Sequence, residues 1–278
     1  RDAFVSARTR NTTTPGLDSE KVLGVDLSYN LNLPWITARV SGYYTSVADQ
    51  SKVISYYDDT QSSFTNFAMS GIDKLHFGLE AAVSIPLYRS LALSGAVSWG
   101  QYTYDSNPYY LQTQDNSGDI VSDGYVYWKD FRVESTPQTA VNVGLSWRSN
   151  NNIYLSADFN YYNNMYLSMS PIYRTDAVIT GGMAPGDIEH LRRQEKFDSA
   201  YTLNASIGKN WYIHRRYTLG FSLEVKNILN NQDIRTGGYE QTRLTKNTET
   251  TVTTYQAFDS KYFYMFGTTY YLNLYFRF

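Results

Sequence analysis

Taken two residues at a time, the sequence separates repeatedly into an apolar and a polar series. In TTYYLNLYFRF (268–278), Tyr270, Leu272, Leu274, Phe276 and Phe278 fall on one side, and Thr269, Tyr271, Asn273, Tyr275 and Arg277 on the other. A period of two predicts a strand with one apolar face. The same alternation recurs nine times along the chain. The apolar series are Leu23, Val25, Leu27, Tyr29; then Ile36, Ala38, Val40, Gly42, Tyr44; then Leu75, Phe77, Leu79, Ala81, Val83, Ile85; then Leu91, Leu93, Gly95, Val97, Trp99. They continue with Val141, Val143, Leu145, Trp147; Ile153, Leu155, Ala157, Phe159, Tyr161; Tyr201, Leu203, Ala205, Ile207; Tyr217, Leu219, Phe221, Leu223, Val225; and the terminal stretch. Opposite them stand small or polar residues such as Ser28, Ser84, Asn142, Ser156 and Ser222.

A soluble sandwich alternates as well, with its apolar side inward. The connections separate the two architectures. Short turns are expected at 31–35, 86–90, 148–152 and 213–216, and long loops at 46–70, 104–137, 166–198 and 229–262. Strict short-long order puts every short turn at one end, as in outer-membrane barrels with periplasmic turns and extracellular loops. Trp35, Trp147 and Trp211 fall at the short-turn end, and Trp99, Tyr44, Tyr102, Tyr104, Tyr161 and Tyr162 towards the other, the pattern of two aromatic girdles. The expected fold is therefore all-β, a transmembrane antiparallel β-barrel. A short helix is expected over 185–196, capped by Asp187.

Composition sharpens this picture. The chain has 278 residues, 27 tyrosines and 16% aromatic residues, yet its mean hydropathy is −0.44, as expected when lipid-facing and lumen-facing residues alternate. No run is long and apolar enough for a membrane-spanning helix. The net charge of −2 and the lack of a basic block leave no electrostatic footprint for nucleic acid. The absence of cysteine excludes disulfides and thiolate chemistry.

A closed antiparallel barrel needs an even strand count, and nine is odd. The expectation is that these strands are the C-terminal part of a barrel of about 22 strands. Its terminal strand would end at the periplasmic rim, with Phe278 in the membrane interface.

Two stretches carry a family resemblance. GFSLEVKNILNNQDIRTGGYEQTR (220–243) resembles the penultimate strand and following loop of TonB-dependent outer-membrane transporters, with their V-x-N-hydrophobic-hydrophobic-N element. SKYFYMFGTTYYLNLYFRF (260–278) resembles their last strand in the SusC-like form of the Bacteroidetes, and 7–30 and 128–147 are similar to that group. The resemblance implies a nutrient importer whose barrel encloses an N-terminal plug on which TonB pulls, the plug and the N-terminal strands lying outside this sequence. Some SusC-like members also carry a surface lipoprotein lid. The last strand looks like the signal read by the barrel-assembly machinery, through Tyr270, Leu272, Leu274, Phe276 and Phe278.

For a nutrient-binding role, the candidate contacts are Tyr109, Tyr110, Tyr125, Tyr127, Trp128, Tyr173, Arg174, Tyr239 and Arg243, aromatic surfaces for stacking and guanidinium groups for carboxylates. The blander role for each is to fold the loops on one another. Asp26, Arg39, Glu80, Arg148, Asp158, Glu224, Lys226 and Arg277 carry charges that lipid would not tolerate at mid-depth, so they are expected to face the lumen, against the plug or water. Asp115, Ser117, Asp119 and Asp123 are spaced like a calcium loop, but Ile120 and Val126 stand where an EF-hand needs Gly and Glu. A solvated acidic turn is the expectation. His76, His190 and His214 lack metal-ligand spacing. No metal, cofactor or catalytic residue is expected. A passive porin or structural barrel, and more remotely an outer-membrane hydrolase, are the alternatives to an importer.

Overall fold

The computed structural model describes residues 14–59, 61–88, 90–115, 119–134, 136–181, 188–189, 192–214, 216–247 and 254–278. Its main sheet is antiparallel throughout. Nine strands form a continuous wall: β1 (Lys21–Leu33), β2 (Ile36–Asp58), β3 (Ser63–Tyr88), β4 (Leu91–Tyr104), β7 (Thr139–Arg148), β8 (Ile153–Asn163), β9 (Ala200–Ile213), β10 (Tyr217–Lys226) and β15 (Thr269–Arg277). The missing numbers belong to hairpins between wall strands: β5 (Tyr109–Gln114) with β6 (Ile120–Tyr125), β11 (Arg235–Tyr239) with β14 (Lys261–Tyr264), and β12 (Leu244–Asn247) with β13 (Thr254–Ala257). Each wall strand pairs with its neighbours in sequence, so the nine expected strands appear in the expected meander.

The register shows why the alternation works. Tyr29 lies opposite Val40, Val40 opposite Ala81, Ala81 opposite Val97, Val97 opposite Val141, and the row continues through Tyr161 to Tyr201. One step along, Arg39, Ala82, Ala96, Asn142, Asn160 and Thr202 form the next row on the other face. A one-residue slip in any pair would mix the two faces. The apolar face is exposed on the isolated chain, with Leu27 at 80% and Leu274 at 69%, which fits a surface for lipid rather than for a water-filled core.

The short connections fall where expected, after β1, β3, β7 and β9. The long-loop end differs in three ways. Residues 46–70 are not a loop: β2 and β3 run on as paired strands to Asp58 and Ser63, past irregularities between Val47 and Lys52, with Asp49 at φ 61°. In this extension the apolar series fades although the pairing persists. β5 then pairs with β3 and β6 with β5, widening this extension to four strands. Third, the β8–β9 connection contains a 3₁₀ turn at Pro171–Arg174 and a short helix α1 (Asp176–Thr180) started by Thr175, whose side chain accepts from the Val178 amide. The expected cap Asp187 lies outside the described residues.

The aromatic girdle also needs correction. Tyr44, Trp99 and Tyr161 lie on the apolar face, but Tyr102, Tyr104 and Tyr162 sit at the opposite parity and point inward. Tyr102 meets the Tyr43 hydroxyl at 2.6 Å, and Tyr104 is 3% exposed. Length along the strand told these tyrosines' height; parity decides their side.

Candidate functional site

The polar face of the wall places all eight of the charges expected in the lumen on one side. Each has small or uncharged polar neighbours across the strands. Ser41 lies opposite Glu80, Gly144 opposite Asp158, and Ser206 opposite Glu224. Glu224 and Lys226 approach to 3.5 Å, while Asp26, Arg39, Glu80, Arg148, Asp158 and Arg277 form no ion pair among the described residues. Arg39 is held against the wall by Ser41 Oγ and Ser28 Oγ, each at 3.1 Å.

Beside Arg39 the wall recedes. Ala82, Ala96 and Ala140 floor a cavity of about 470 Å³ bordered by Arg39, Glu80, Ser98, Asn142, Asn160 and Tyr162. Its far side is stiffened by a hydrogen-bond chain, from Asn142 Nδ2 to Asn160 Oδ1 at 2.8 Å and from Asn160 Nδ2 to Thr202 Oγ1 at 3.4 Å. A cation, a carboxylate and amide groups around a methyl floor suit a polar solute or a polar chain segment against this face of the wall.

Glycines on this face admit the large side chains that share it. A Cβ on Gly208 would overlap the Tyr154 ring, and one on Gly220 the Tyr275 ring. The two tyrosines lie across their neighbouring strands, donating to Phe221 O at 3.2 Å and to Asn210 Oδ1 at 2.5 Å.

The long-loop end is an ordered layer with its own core. Phe67 stacks on Tyr110 with ring centroids 4.7 Å apart, and Tyr104 meets Trp128 at the same distance. Tyr56, Met69, Ile72, Val126, Met169, Ile172, Tyr173 and Val178 complete the cluster. Four of the nine residues expected to touch a ligand, Tyr110, Trp128, Tyr173 and Arg174, are therefore buried among the loops and hold them together. Arg174 spans Glu240, with Nη1–Oε2 at 2.5 Å and Nη2–Oε1 at 2.8 Å, while its Nη1 also donates to Ser170 O. Glu240 in turn accepts the Ser170 amide at 2.8 Å.

The other nominees remain near the surface. Tyr125, Tyr127 and Tyr239 are exposed. Tyr109 stands edge-on to Tyr125 and donates to Asp123 at 2.6 Å. Arg243 binds Asp59 through two contacts, 2.9 and 3.1 Å. The hydrogen bond to Asp123 pushes the Tyr109 phenol up to about 12, and burial pushes Tyr173 up to about 12, so both stay neutral donors at physiological pH. Asp123 is thus engaged by a tyrosine, and Asp115 accepts from Asn66 Nδ2 at 3.1 Å. Ser117 and His190 lie outside the described residues. Among the described residues no cluster of His, Asp and Glu could hold a metal ion.

Sequence reasoning passed over Asp59 and Glu240, whose partners lie in other loops, and the role of Asn227. That residue, in the V-x-N-I-L-N element, is 4% exposed and has φ 50°, as Asn230 has φ 51°. Its Nδ2 donates to Asn231 O at 2.9 Å and Phe266 O at 3.0 Å, and its carbonyl accepts from Thr268 Oγ1 at 2.8 Å. The element is a left-handed corner that turns the chain off β10 and pins the start of β15, which explains why Asn, tolerant of positive φ, occupies both positions.

No protein-family model and no curated protein matches the sequence. Solved structures do. The chain superposes on the copper transporter OprC with a TM-score of 0.56 at 13% identity, over 93% of this chain and 31% of OprC. On the outer membrane transporter YddB from Escherichia coli the TM-score is 0.55 at 13% identity, over 95% of this chain and 33% of YddB. Both are transporters rather than enzymes. The chain spans about a third of the length of these structures, and what it shares with them is the fold of an antiparallel β wall.

Proposed function

We propose that the chain is the C-terminal barrel portion of a TonB-dependent importer of nutrients in a bacterial outer membrane, of the SusC-like kind found in Bacteroidetes. The observation that carries this reading is the nine-strand wall itself. It has a lipid-type face, a face of small and charged residues, short turns at one end and a packed loop layer at the other. The structural likeness to outer-membrane transporters supports the same reading. In this account further N-terminal strands close the barrel and a plug fills it, facing Arg39, Glu80, Asp158 and Arg277. TonB acts through that plug, and a surface lipoprotein lid is a further partner. Tyr109, Tyr125, Tyr127 and Tyr239 on the loop layer, with the wall cavity below, line the path of the solute, a glycan, peptide or chelate.

The deciding experiment is intact mass and N-terminal sequencing of the protein purified from native outer membranes. An N-terminal portion supplying strands and a plug, on the same or a second polypeptide, is expected. A 278-residue chain that is alone and still forms a heat-resistant barrel would overturn the importer and favour a porin.

A further inference from the structure

On the polar face of the wall, two adjacent rows of side chains build the cavity. In one, Arg39 lies opposite Ala82, Ala82 opposite Ala96, and Ala96 opposite Asn142. In the row beside it, Ser41 lies opposite Glu80, Glu80 opposite Ser98, and Ser98 opposite Ala140. Small side chains on β3, β4 and β7 thus leave room between a charged edge, Arg39 with Glu80, and an amide edge, Asn142 with Asn160.

The charged edge is held in advance. Ser28 and Ser41 face each other across β1 and β2 with their hydroxyls 2.9 Å apart. Arg39 lies across this pair, donating from Nη2 to Ser28 Oγ and from Nε to Ser41 Oγ, which leaves its Nη1 group for another acceptor. Glu80 is the direct cross-strand neighbour of Ser41. It borders the same cavity as Arg39, yet the two form no ion pair.

Opposite charges that share a cavity without pairing define what they would accept. A lone anion suits Arg39 but is opposed by Glu80, and a lone cation meets the reverse. A neutral solute displaces water from both charges and gives neither a counter-charge. A molecule with its own carboxylate and ammonium answers both. The floor is made of methyl groups rather than the flat aromatic surface that would favour a sugar ring. At the amide edge Asn142 Nδ2 donates to Asn160, and Asn142 Oδ1 remains to accept an N–H.

We propose that this cavity is a binding subsite for a small zwitterion of amino-acid or dipeptide size. Its carboxylate meets Arg39, its ammonium meets Glu80, and its apolar part rests on Ala82, Ala96 and Ala140. That such a solute passes on into the cell rests on the importer reading; the subsite rests on the wall alone.

Equilibrium binding to the full-length protein in detergent, with the dipeptide alanylalanine as probe, tests the subsite. The free dipeptide is expected to bind, and acetylating its amine or amidating its carboxyl to weaken binding about ten- to a hundredfold. Glu80→Gln should weaken the free dipeptide by a similar factor and leave the acetylated one unchanged. Arg39→Gln should do the same to the free dipeptide and leave the amidated one unchanged. Charge-dependent binding of either alanine or alanylalanine supports the subsite, and their order tells whether the two charges sit on one carbon or at the ends of a dipeptide. The subsite is overturned if neither binds, as when a plug segment occupies the cavity, if the blocked forms bind as well as the free one, or if maltose binds in their place. The blocked dipeptides decide this on the unaltered protein even where a variant does not form a heat-resistant barrel. Uptake of labelled alanylalanine by intact cells tests the importer separately, and is expected to stop when TonB is deleted. TonB-independent uptake with binding intact overturns the importer and spares the subsite, whereas a TonB-dependent barrel that binds no zwitterion overturns the subsite alone.

Discussion

Arg174 is accommodated inside the loop layer because Glu240 faces it with both oxygens and Ser170 supplies a further acceptor. Removing one partner leaves the other buried and unpaired, so Glu240→Ala is expected to destabilise the loop layer by about 3–5 kcal/mol. Limited proteolysis should then cut within 164–199 and 227–268 while the wall stays resistant. Asn227 is a second such residue. Asn227→Ala strands the Phe266 and Asn231 carbonyls and places a residue less suited to positive φ at the corner, with an expected loss of about 2–4 kcal/mol, measurable as a lower unfolding temperature of the barrel. At the exposed Arg243–Asp59 pair, the Arg243 guanidinium holds the Asp59 carboxyl below the usual carboxylate range, Tyr57 being the other ionisable group beside the pair. A depressed carboxylate contributes only while ionised. The Arg243–Asp59 pair therefore persists from neutral pH into mild acid and is lost as pH falls through that lowered value, readable as a pH-dependent shift of the Arg243 side-chain NMR signals. Aromatic and cationic residues in long loops are legible in the sequence, but their burial is not: Tyr110, Trp128, Tyr173 and Arg174 pack, whereas Tyr125, Tyr127 and Tyr239 are exposed, and composition is the same for both sets.

The strands were the most legible elements, since each carries its own period and needs no distant partner to reveal it. Val143 and Asn142 are adjacent in β7 yet face opposite sides. Val143→Arg is expected to cost about 2–4 kcal/mol in a bilayer and Asn142→Arg close to nothing, a contrast readable from denaturant titrations of the barrel refolded in lipid. The glycines that admit tyrosines were less legible, since the partner lies on another strand. Gly208→Ala should cost about 1–3 kcal/mol by overlap with Tyr154, and adding Tyr154→Ala should return much of it. The extension of β2 and β3 escaped the pattern for a physical reason: beyond the apolar band no period of two marks a strand, and hydrogen bonding to a neighbour keeps the chain extended.

Across the whole molecule, β1 and β15 end the sheet, and neither has a partner along its outer edge among the described residues. Unpaired edges do not persist in a hydrocarbon environment, where each backbone group needs a partner. If further strands close the barrel, amides along the outer edges of β1 and β15 should be protected from exchange in the full-length protein and exchange freely in the 278-residue chain alone. Free exchange in both would mean that these edges stay open.

Legible in the sequence alone are which residues share the apolar face of the wall and which the polar face, the nine wall strands, and the end at which the turns are short. Those properties are local: a period of two and the spacing of turn residues suffice, and the bilayer selects for both. Only the tertiary structure decided which loop residues are buried, that Arg174 and Glu240 meet, that Asp59 receives Arg243, and that Asn227 pins the last strand. Each of those depends on contacts between segments tens to nearly two hundred residues apart, and no periodicity within a single segment carries that information.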